Sequence, residues 1–374
     1  MQSVSAKSAV IWRSSSRALA AAVCAVAVAI LPSLLPAHDS AHAEQAKPSK
    51  DNVSCATCHH GVTSSYKTAP MRHGMEPLGA NPALNAHPDL TIELGGYTYR
   101  VQTKDGQSTY SVSDGADTLT LPIHWIFGQH SQTWVLEKDG HYYESLVSYF
   151  PRANGLAITP GDQKITPHNL TEAMGRQLPL WETRTCFNCH GTGVTPGEKL
   201  DPHRVTPGLN CERCHAGAQQ HMTDAVNDNF KTLPKSLKHL DAEQTSDFCG
   251  QCHRTWDSMM RSKSRGPAFV RFQPYRLELS KCFIGSDPRI SCLACHNPHQ
   301  PVNHNPAYYD AKCLACHAET KTASTRPVPA VKTCPVAKQN CSSCHMPKVE
   351  LPGGHAQFTD HFIRVSRPGE PYPE

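Results

Sequence analysis

Aromatic side chains are scarce in this 374-residue chain, at 7% of its residues, whereas proline and glycine are frequent, with 30 and 23 copies. Such a composition builds only a thin apolar core, because large side chains supply much of the surface that folding removes from water. The chain also lacks a basic tract and an aromatic platform, which nucleic-acid-binding proteins use. The sequence therefore argues against a nucleic-acid partner. It also raises the question of what forms the apolar interior of the protein.

Cysteine, in contrast, is abundant, with 17 copies, and 14 of them follow one pattern. Two cysteines stand three positions apart, a histidine follows the second at once, and this Cys-x-x-Cys-His motif occurs seven times. The motifs are Cys55/Cys58/His59, Cys186/Cys189/His190, Cys211/Cys214/His215, Cys249/Cys252/His253, Cys292/Cys295/His296, Cys313/Cys316/His317 and Cys341/Cys344/His345.

This motif is the attachment signature of a c-type haem. The two thiols add to the vinyl groups of the porphyrin, and the histidine becomes the proximal ligand of the iron. A disulfide framework and a set of zinc sites are the alternatives, but neither explains a histidine at the same position in all seven motifs. The sequence therefore predicts seven covalently attached haems c, whose porphyrins supply the apolar interior that the side chains lack.

The first 43 residues are typical of a secretory signal peptide. Three basic residues, Lys7, Arg13 and Arg17, precede an apolar run at residues 18–35, and a small-x-small cleavage site follows at residues 41–43. A transmembrane anchor is the alternative, but the run is short for a bilayer span and is interrupted by proline. We therefore expect export to the periplasm or the cell surface.

Two cysteines of the mature chain, Cys282 and Cys334, lie outside the haem motifs. Disulfides form in exported proteins, so these two residues are candidates for one. Two free thiols are the alternative, because sequence alone does not show whether the two side chains meet.

The composition and the residue pattern along the chain predict four segments. Residues 1–43 are the signal peptide and residues 44–89 hold the first haem. Residues 90–150 contain no cysteine and alternate polar with apolar residues between Asp-Gly turns, which predicts an antiparallel β insert between haems 1 and 2. Residues 151–374 hold the other six haems. The predicted fold class is a multihaem cytochrome c, mainly short α-helices and coil packed around stacked haems, with that single β-rich insert.

Histidine is in surplus, with 23 copies, of which seven belong to the motifs and two to the signal peptide. The remaining 14 are enough to give each iron a second axial ligand, and His–His ligation lowers the reduction potential relative to His–Met. His299 lies three residues beyond His296 and cannot reach the opposite face of its own haem, so as a ligand it would serve a neighbouring haem. His221, His355 and His361 are further candidates.

Several strings of the sequence resemble a broad group of bacterial exported multihaem cytochromes c related to the cytochrome c554 type. These strings are residues 71–77, 187–190, 248–256, 271–277, 341–355 and 358–361. The resemblance implies stacked haem pairs, and it implies that six histidines are distal ligands, namely His73, His87, His221, His299, His355 and His361. The seventh distal position stays open between His60, His130, His168, His239, a methionine and an unfilled site.

The leading functional hypothesis is electron transfer between a redox protein donor and acceptor, such as a membrane quinol-linked complex or another cytochrome. The alternative is a multihaem oxidoreductase that acts on a small nitrogen or sulfur compound, of the nitrite, hydroxylamine or tetrathionate type, at one open-coordination haem. A third hypothesis is an oligomer or a conducting filament, for which haem density is the only sequence argument.

Overall fold

The fold is described from a computed structural model, which covers residues 54–77, 79, 81–195, 197–262, 265–284, 289–318 and 333–373. The predicted signal peptide lies outside these residues. Within the same ranges, no helix is both long enough and apolar enough to cross a membrane.

The helices are short, and several of them consist of little more than one haem motif. Their bounds are α1 (Cys55–Cys58), α2 (His60–Tyr66), α3 (Pro82–Ala86), α4 (Leu170–Met174), α5 (Leu180–His190), α6 (Cys211–Cys214), α7 (Ala218–Val226), α8 (Ala242–His253), α9 (Trp256–Ser262), α10 (Gln273–Glu278), α11 (Cys292–Cys295), α12 (Pro306–His317) and α13 (Cys341–His345). Single turns of 3-10 helix occur at Pro70–His73, Pro202–Arg204 and Pro267–Phe269.

Strands begin before the predicted insert and continue beyond it. Their bounds are β1 (Met75–Glu76), β2 (Asp89–Leu94), β3 (Tyr97–Lys104), β4 (Gln107–Ser113), β5 (Thr118–Pro122), β6 (Trp125–Phe127), β7 (Thr133–Lys138), β8 (His141–Ser145), β9 (Val147–Phe150), β10 (Gly155–Ile158), β11 (Gly175–Leu178), β12 (Gly191–Thr192), β13 (Thr206–Pro207), β14 (Lys348–Glu350) and β15 (Gln357–Thr359).

Strands β2 to β5 form a four-stranded antiparallel sheet in chain order. The β3–β4 hairpin closes through Asp105 and Gly106, both with positive φ, as a two-residue turn between antiparallel strands requires. Buried and exposed residues alternate along β4, where Tyr110 and Val112 point to the interior. This part of the chain follows the alternating pattern that predicted it.

A five-stranded antiparallel sheet has the order β1-β6-β7-β8-β11. Its two edge strands come from outside residues 90–150, because Met75 pairs with Phe127 and Gly175 pairs with Ser145. Three two-stranded sheets, β9–β10, β12–β13 and β14–β15, complete the set among the described residues.

The predicted fold class, mainly short helices and coil with one β insert, is therefore wrong. The chain carries several antiparallel sheets, of which the largest have five and four strands. The strands outside residues 90–150 are two to four residues long, too short for an alternating pattern to reveal them. Strands β1 and β11 in addition pair with β6 and β8, which lie far away in sequence, so no local turn signal marks these two strands.

Among the described residues, the hydrophobic clusters lie around the sheets. One cluster lies between the four-stranded sheet and its neighbours and includes Trp134, Tyr99 and Ile126, all fully buried. A second cluster joins the five-stranded sheet to α5, where Phe187 lies edge-on against Trp125 and Phe127. Neither cluster contains a residue beyond Val205. The described residues after 205 therefore depend on other contacts.

Candidate haem-binding site

Each Cys-x-x-Cys-His motif lies on a helix. In α1, α6 and α11 the two cysteines are the first and last residues of a four-residue helix, and the motif histidine is its C-cap. In α5, α8, α12 and α13 the motif forms part of a longer helix that ends at the histidine. Residues three apart on a helix share one face, so both thiols of a motif are available to one porphyrin.

Cysteines of different motifs lie close together in four pairs, in each of which one thiol shifts the pKa of the other. The pairs are Cys55 with Cys211, Cys189 with Cys252, Cys249 with Cys292 and Cys313 with Cys341. They bring together motif 1 and motif 3, motif 2 and motif 4, motif 4 and motif 5, and motif 6 and motif 7.

Three of the predicted haem-binding cysteines differ from the others in being exposed to solvent. They are Cys58, Cys316 and Cys344, each the second cysteine of its motif. Among the described residues, the Cys344 thiol has a close polar contact with its neighbour in sequence, the Ser343 hydroxyl at 3.8 Å, while its backbone carbonyl accepts from the N–H of Ser366 at 3.0 Å. Haem attachment at all 14 motif thiols stays a prediction.

Further contacts link the remaining motifs. Arg213 of motif 3 donates to the carbonyl of Asn188 in motif 2 at 3.3 Å, and it approaches the Sγ of Cys252 in motif 4 at 3.8 Å. The ring centre of Tyr309 on α12, the helix that carries motif 6, lies 5.8 Å from that of His296 in motif 5. The Asp310 carboxylate on α12 accepts hydrogen bonds from the backbone N–H groups of Asn340 and Cys341 at 2.7 and 2.8 Å, which adds to the contact between motifs 6 and 7. The attachment points therefore form a connected series.

Three motif histidines face a predicted distal histidine across a short gap. The ring centres are 6.4 Å apart for His59 and His221, 6.0 Å for His215 and His299, and 6.2 Å for His296 and His361. Because an imidazole nitrogen binds a transition metal at about 2 Å, two axial rings on one iron have centres about 6 Å apart. Each pair has the spacing that bis-histidine ligation of one haem requires.

Backbone carbonyls orient many of these rings through Nδ1. The Nδ1 atoms of five histidines lie within 3.3 Å of a carbonyl oxygen, namely His190 with Gly74, His215 with Lys235, His221 with Thr232, His345 with Arg364 and His361 with Thr359. A proton on Nδ1 leaves Nε2 as the atom with a free lone pair, which is the tautomer that an axial ligand needs.

Burial also keeps several of these rings neutral. It lowers the pKa of His361 to about 4, with a further contribution from His296. Burial likewise lowers the pKa values of His190, His253, His296 and His299. An imidazole must be unprotonated to bind a metal, so the environment favours the form that ligates.

The other three predicted distal histidines lie elsewhere. His73 has both ring nitrogens engaged, with Nδ1 2.7 Å from Glu76 and Nε2 2.6 Å from the carbonyl of Lys67. His87 packs against Tyr149 with ring centres 5.4 Å apart. His355 packs against Phe150 at 4.8 Å and lines a shallow surface cleft with Arg152 and Glu350.

The motif histidines outside the three pairs have varied surroundings. His190 lies edge-on to Phe127, and the nearby side chain of Gln273 on α10 opposes the lowering of the His253 pKa by burial. His317 is the last residue of α12 and His345 the last of α13.

The thiols of Cys282 and Cys334 are not joined in a disulfide. No disulfide joins any two of the 16 cysteines of the described residues. Burial raises the pKa of Cys282, which lies near Cys313 and Cys316 of motif 6.

Sequence reasoning missed several polar residues that organise the motifs. Arg213 of motif 3 contacts motifs 2 and 4, and Gln273 lies near His253 of motif 4. Neither residue has a local signal of that role. Arg271 is largely buried, and its Nε atom has no hydrogen-bond partner. A buried guanidinium calls for an anion, and the propionates of a porphyrin are anions of that kind. The donor set thus fits haem in its thiols, its paired histidines and this unmatched arginine.

Paired thiols on helices, each pair followed by a histidine, are the arrangement by which c-type cytochromes hold haem. Residues 162–216, which contain motifs 2 and 3, match the family model of cytochrome c554 and c-prime. The match confirms the resemblance to the cytochrome c554-related family, and it supports covalently bound haem c and a c-type cytochrome role in electron transfer. No curated protein and no solved structure matches the chain.

Proposed function

We propose that this protein is an exported cytochrome that carries electrons along seven covalently attached haems. The 14 motif cysteines would hold the porphyrins, and the seven motif histidines would be proximal ligands. Bound haem c supplies a one-electron ferric–ferrous couple. The connected series of attachment points carries the proposal, because neighbouring attachment points would hold their porphyrins close together and electron transfer is fast only over short distances.

Three pairs of histidines in the chain support electron transfer as the role of their haems. The His59–His221, His215–His299 and His296–His361 pairs have the spacing of two ligands on one iron, and an iron with two histidines has no position left for a substrate. His299 joins motif 5 to motif 3, and His221 joins motif 3 to motif 1. The ligands therefore tie neighbouring haem segments together.

The location and the partners follow from the proposed cofactor. The basic, apolar and small-residue pattern at residues 1–43 supports export, and c-type haem is attached outside the cytoplasm. We expect the protein to act in the periplasm or at the cell surface. Its electron donor would be a membrane quinol-linked complex or another cytochrome, and its acceptor a second redox protein.

A second candidate function is reduction or oxidation of a small nitrogen or sulfur compound at one open iron. The placement of His73, His87 and His355 favours it, because each of these predicted distal ligands packs or hydrogen-bonds elsewhere. An iron whose distal face lacks a histidine can bind nitrite, hydroxylamine or tetrathionate.

Voltammetry of the purified holoprotein adsorbed on an electrode separates the two functions. For the electron carrier we expect reversible signals that integrate to seven electrons per molecule. The currents should stay unchanged when nitrite, hydroxylamine or tetrathionate is added. A catalytic current with any of these compounds would establish the enzyme instead.

A further inference from the structure

A buried ion pair joins helix α10 to the C-terminal segment. Arg276 and Asp360 have no solvent exposure, and the guanidinium donates from Nε and Nη2 to the two carboxylate oxygens at 2.8 Å each. The third nitrogen, Nη1, donates to the carbonyl of Pro373 at 2.8 Å. The ring of Tyr372 lies 4.5 Å from the guanidinium carbon. Each nitrogen of this arginine therefore has a partner.

The carboxylate is equally well satisfied. Besides the two bonds from Arg276, it accepts one from Arg364 at 2.8 Å and one from the backbone N–H of Phe362 at 3.1 Å. A buried ion pair is weak evidence for stability, because removing both charges from water costs about as much as their attraction returns. The better-supported role of a buried ion pair is to hold the chain in one conformation.

The segment that this pair holds carries one proposed haem ligand and touches another. His361 follows Asp360 directly, and its ring centre is 6.2 Å from that of His296. Further along the segment, the carbonyl of Arg364 lies 2.9 Å from Nδ1 of His345, the motif 7 histidine. Ser280, just after α10, adds two bonds, because its hydroxyl donates to the carbonyl of His361 and accepts from the N–H of Ile363.

We propose that the Arg276–Asp360 pair positions His361 as the distal ligand opposite His296 and, through the Arg364 carbonyl, sets the orientation of His345. Arg276 is thus a positioning residue for two haem sites while touching neither ring. The inference rests on the proposed haem ligation. Without the arginine, the carboxylate would be a buried charge with only Arg364 as a cationic partner, and residues 360–364 would have to move toward water.

The test is electron paramagnetic resonance of the oxidised holoprotein, with haem content measured on the same samples. For Arg276→Gln we expect unchanged haem content and one haem equivalent converted from low-spin to high-spin iron, because His361 no longer reaches its position. Potentiometry should show shifted potentials for two of the haems. Arg276→Lys keeps the charge but loses the two-pronged contact, so it should recover part of the low-spin signal.

The matched control is the ion pair between Arg100 and Asp89 on strands β3 and β2. It joins the same chemical groups in the same two-pronged way but is about half exposed and lies on the four-stranded sheet. Arg100→Gln should leave the spin state and the potentials as in the wild type. If Arg276→Gln does not accumulate as holoprotein, Asp360→Asn is the second variant, with the same expected high-spin equivalent.

His361→Ala separates the positioning inference from the ligand assignment beneath it. If His361→Ala produces one high-spin equivalent while Arg276→Gln and Asp360→Asn stay entirely low-spin at wild-type potentials, the positioning role is refuted and the ligand pair stands. If His361→Ala itself stays low-spin, the ligand assignment fails and the inference falls with it.

Discussion

Two regions of this chain are held together in different ways. Residues 75–205 form the sheet region, which contains both hydrophobic clusters and fully buried aromatic residues such as Trp134, Tyr99 and Phe187. The described parts of residues 206–373 form the motif region, where the few buried apolar side chains belong to neither cluster. In this region, polar contacts rather than a hydrophobic cluster connect the motif helices.

The difference indicates in which region the proposed porphyrins would be needed for folding. The sheet region buries apolar side chains against one another, as ordinary globular domains do. The motif region contains five of the seven motifs and has little side-chain interior of its own, so the proposed porphyrins would supply its apolar volume. Folding of the two regions should therefore depend on haem to very different degrees.

The largest expected effect comes from withholding haem. Protein produced without haem attachment should lose the motif region and keep most of the sheet region. Hydrogen exchange with mass spectrometry should show rapid exchange across α6 to α13, while β3, β4 and β7 stay protected. Equal protection of both regions in this haem-free protein would refute the idea that only the motif region depends on haem. The holoprotein is the control.

Trp134→Ala should damage the sheet region alone. Trp134 is fully buried, and truncating a buried tryptophan costs about 3–5 kcal/mol. Denaturant titration should show this loss in the transition of the sheet region, with haem content unchanged. Trp181→Ala is the matched control, because Trp181 is 70% exposed and its removal should change stability by less than about 0.5 kcal/mol. A comparable loss in both variants would be evidence against the assigned core.

Asp162 gives the sheet region a pH dependence. Burial and the nearby Glu144 raise the pKa of Asp162 to about 6, although Arg176 opposes the shift. The folded state thus holds this proton more tightly than the unfolded chain, in which the pKa of an aspartate is about 3.9. The contribution of Asp162 to the free energy of unfolding is therefore fully present below that pH and is lost as the pH rises through about 6.

Asp162→Asn should remove this loss and be more stable than wild type at pH 7 by about 1–2 kcal/mol, a value reduced because the variant also loses the ion pair with Arg176 at 3.7 Å. At pH 4 the two proteins should be nearly equal in stability. Unfolding midpoints measured from pH 4 to pH 7 check the sign, and a difference that does not vary with pH would contradict the raised pKa.

Tyr66→Phe should have the smallest effect. The Tyr66 hydroxyl on α2 donates to the carbonyl of Leu209 at 2.8 Å and so ties the first motif segment to the residues before motif 3. Losing one such bond costs about 1 kcal/mol. Thermal unfolding of the holoprotein should show a slightly lower midpoint with unchanged spectra. Because Tyr97 is only half-buried on strand β3 of the sheet region, Tyr97→Phe serves as the comparison and should change little.

The sequence was most informative where the chemistry is local. Covalent haem attachment needs two thiols and a histidine within five residues, so the motifs and the cofactor could be read directly. The Asp-Gly turns located hairpins for the same reason, because a two-residue turn needs particular residues at fixed positions. The short strands β1 and β11 could not be found, since they exist only through pairing with β6 and β8.

Pairs that are distant in sequence could not be predicted. The spacing of His299 from His296 indicated that it would serve another haem, but only the fold places it opposite His215. Arg276 and Asp360 are 84 residues apart, and nothing local to either residue signals that they meet. The assignment of distal ligands to particular haems stays a prediction.

The mass of the intact holoprotein, measured under denaturing conditions, tests the central claim most directly. Thioether bonds survive denaturation, so each attached haem adds its full mass to the chain. We predict a single species that starts near residue 44 and carries seven haems, which would give the motif region the interior that its side chains lack. A uniform product with fewer haems, and with free thiols in any of the seven motifs, would contradict this account.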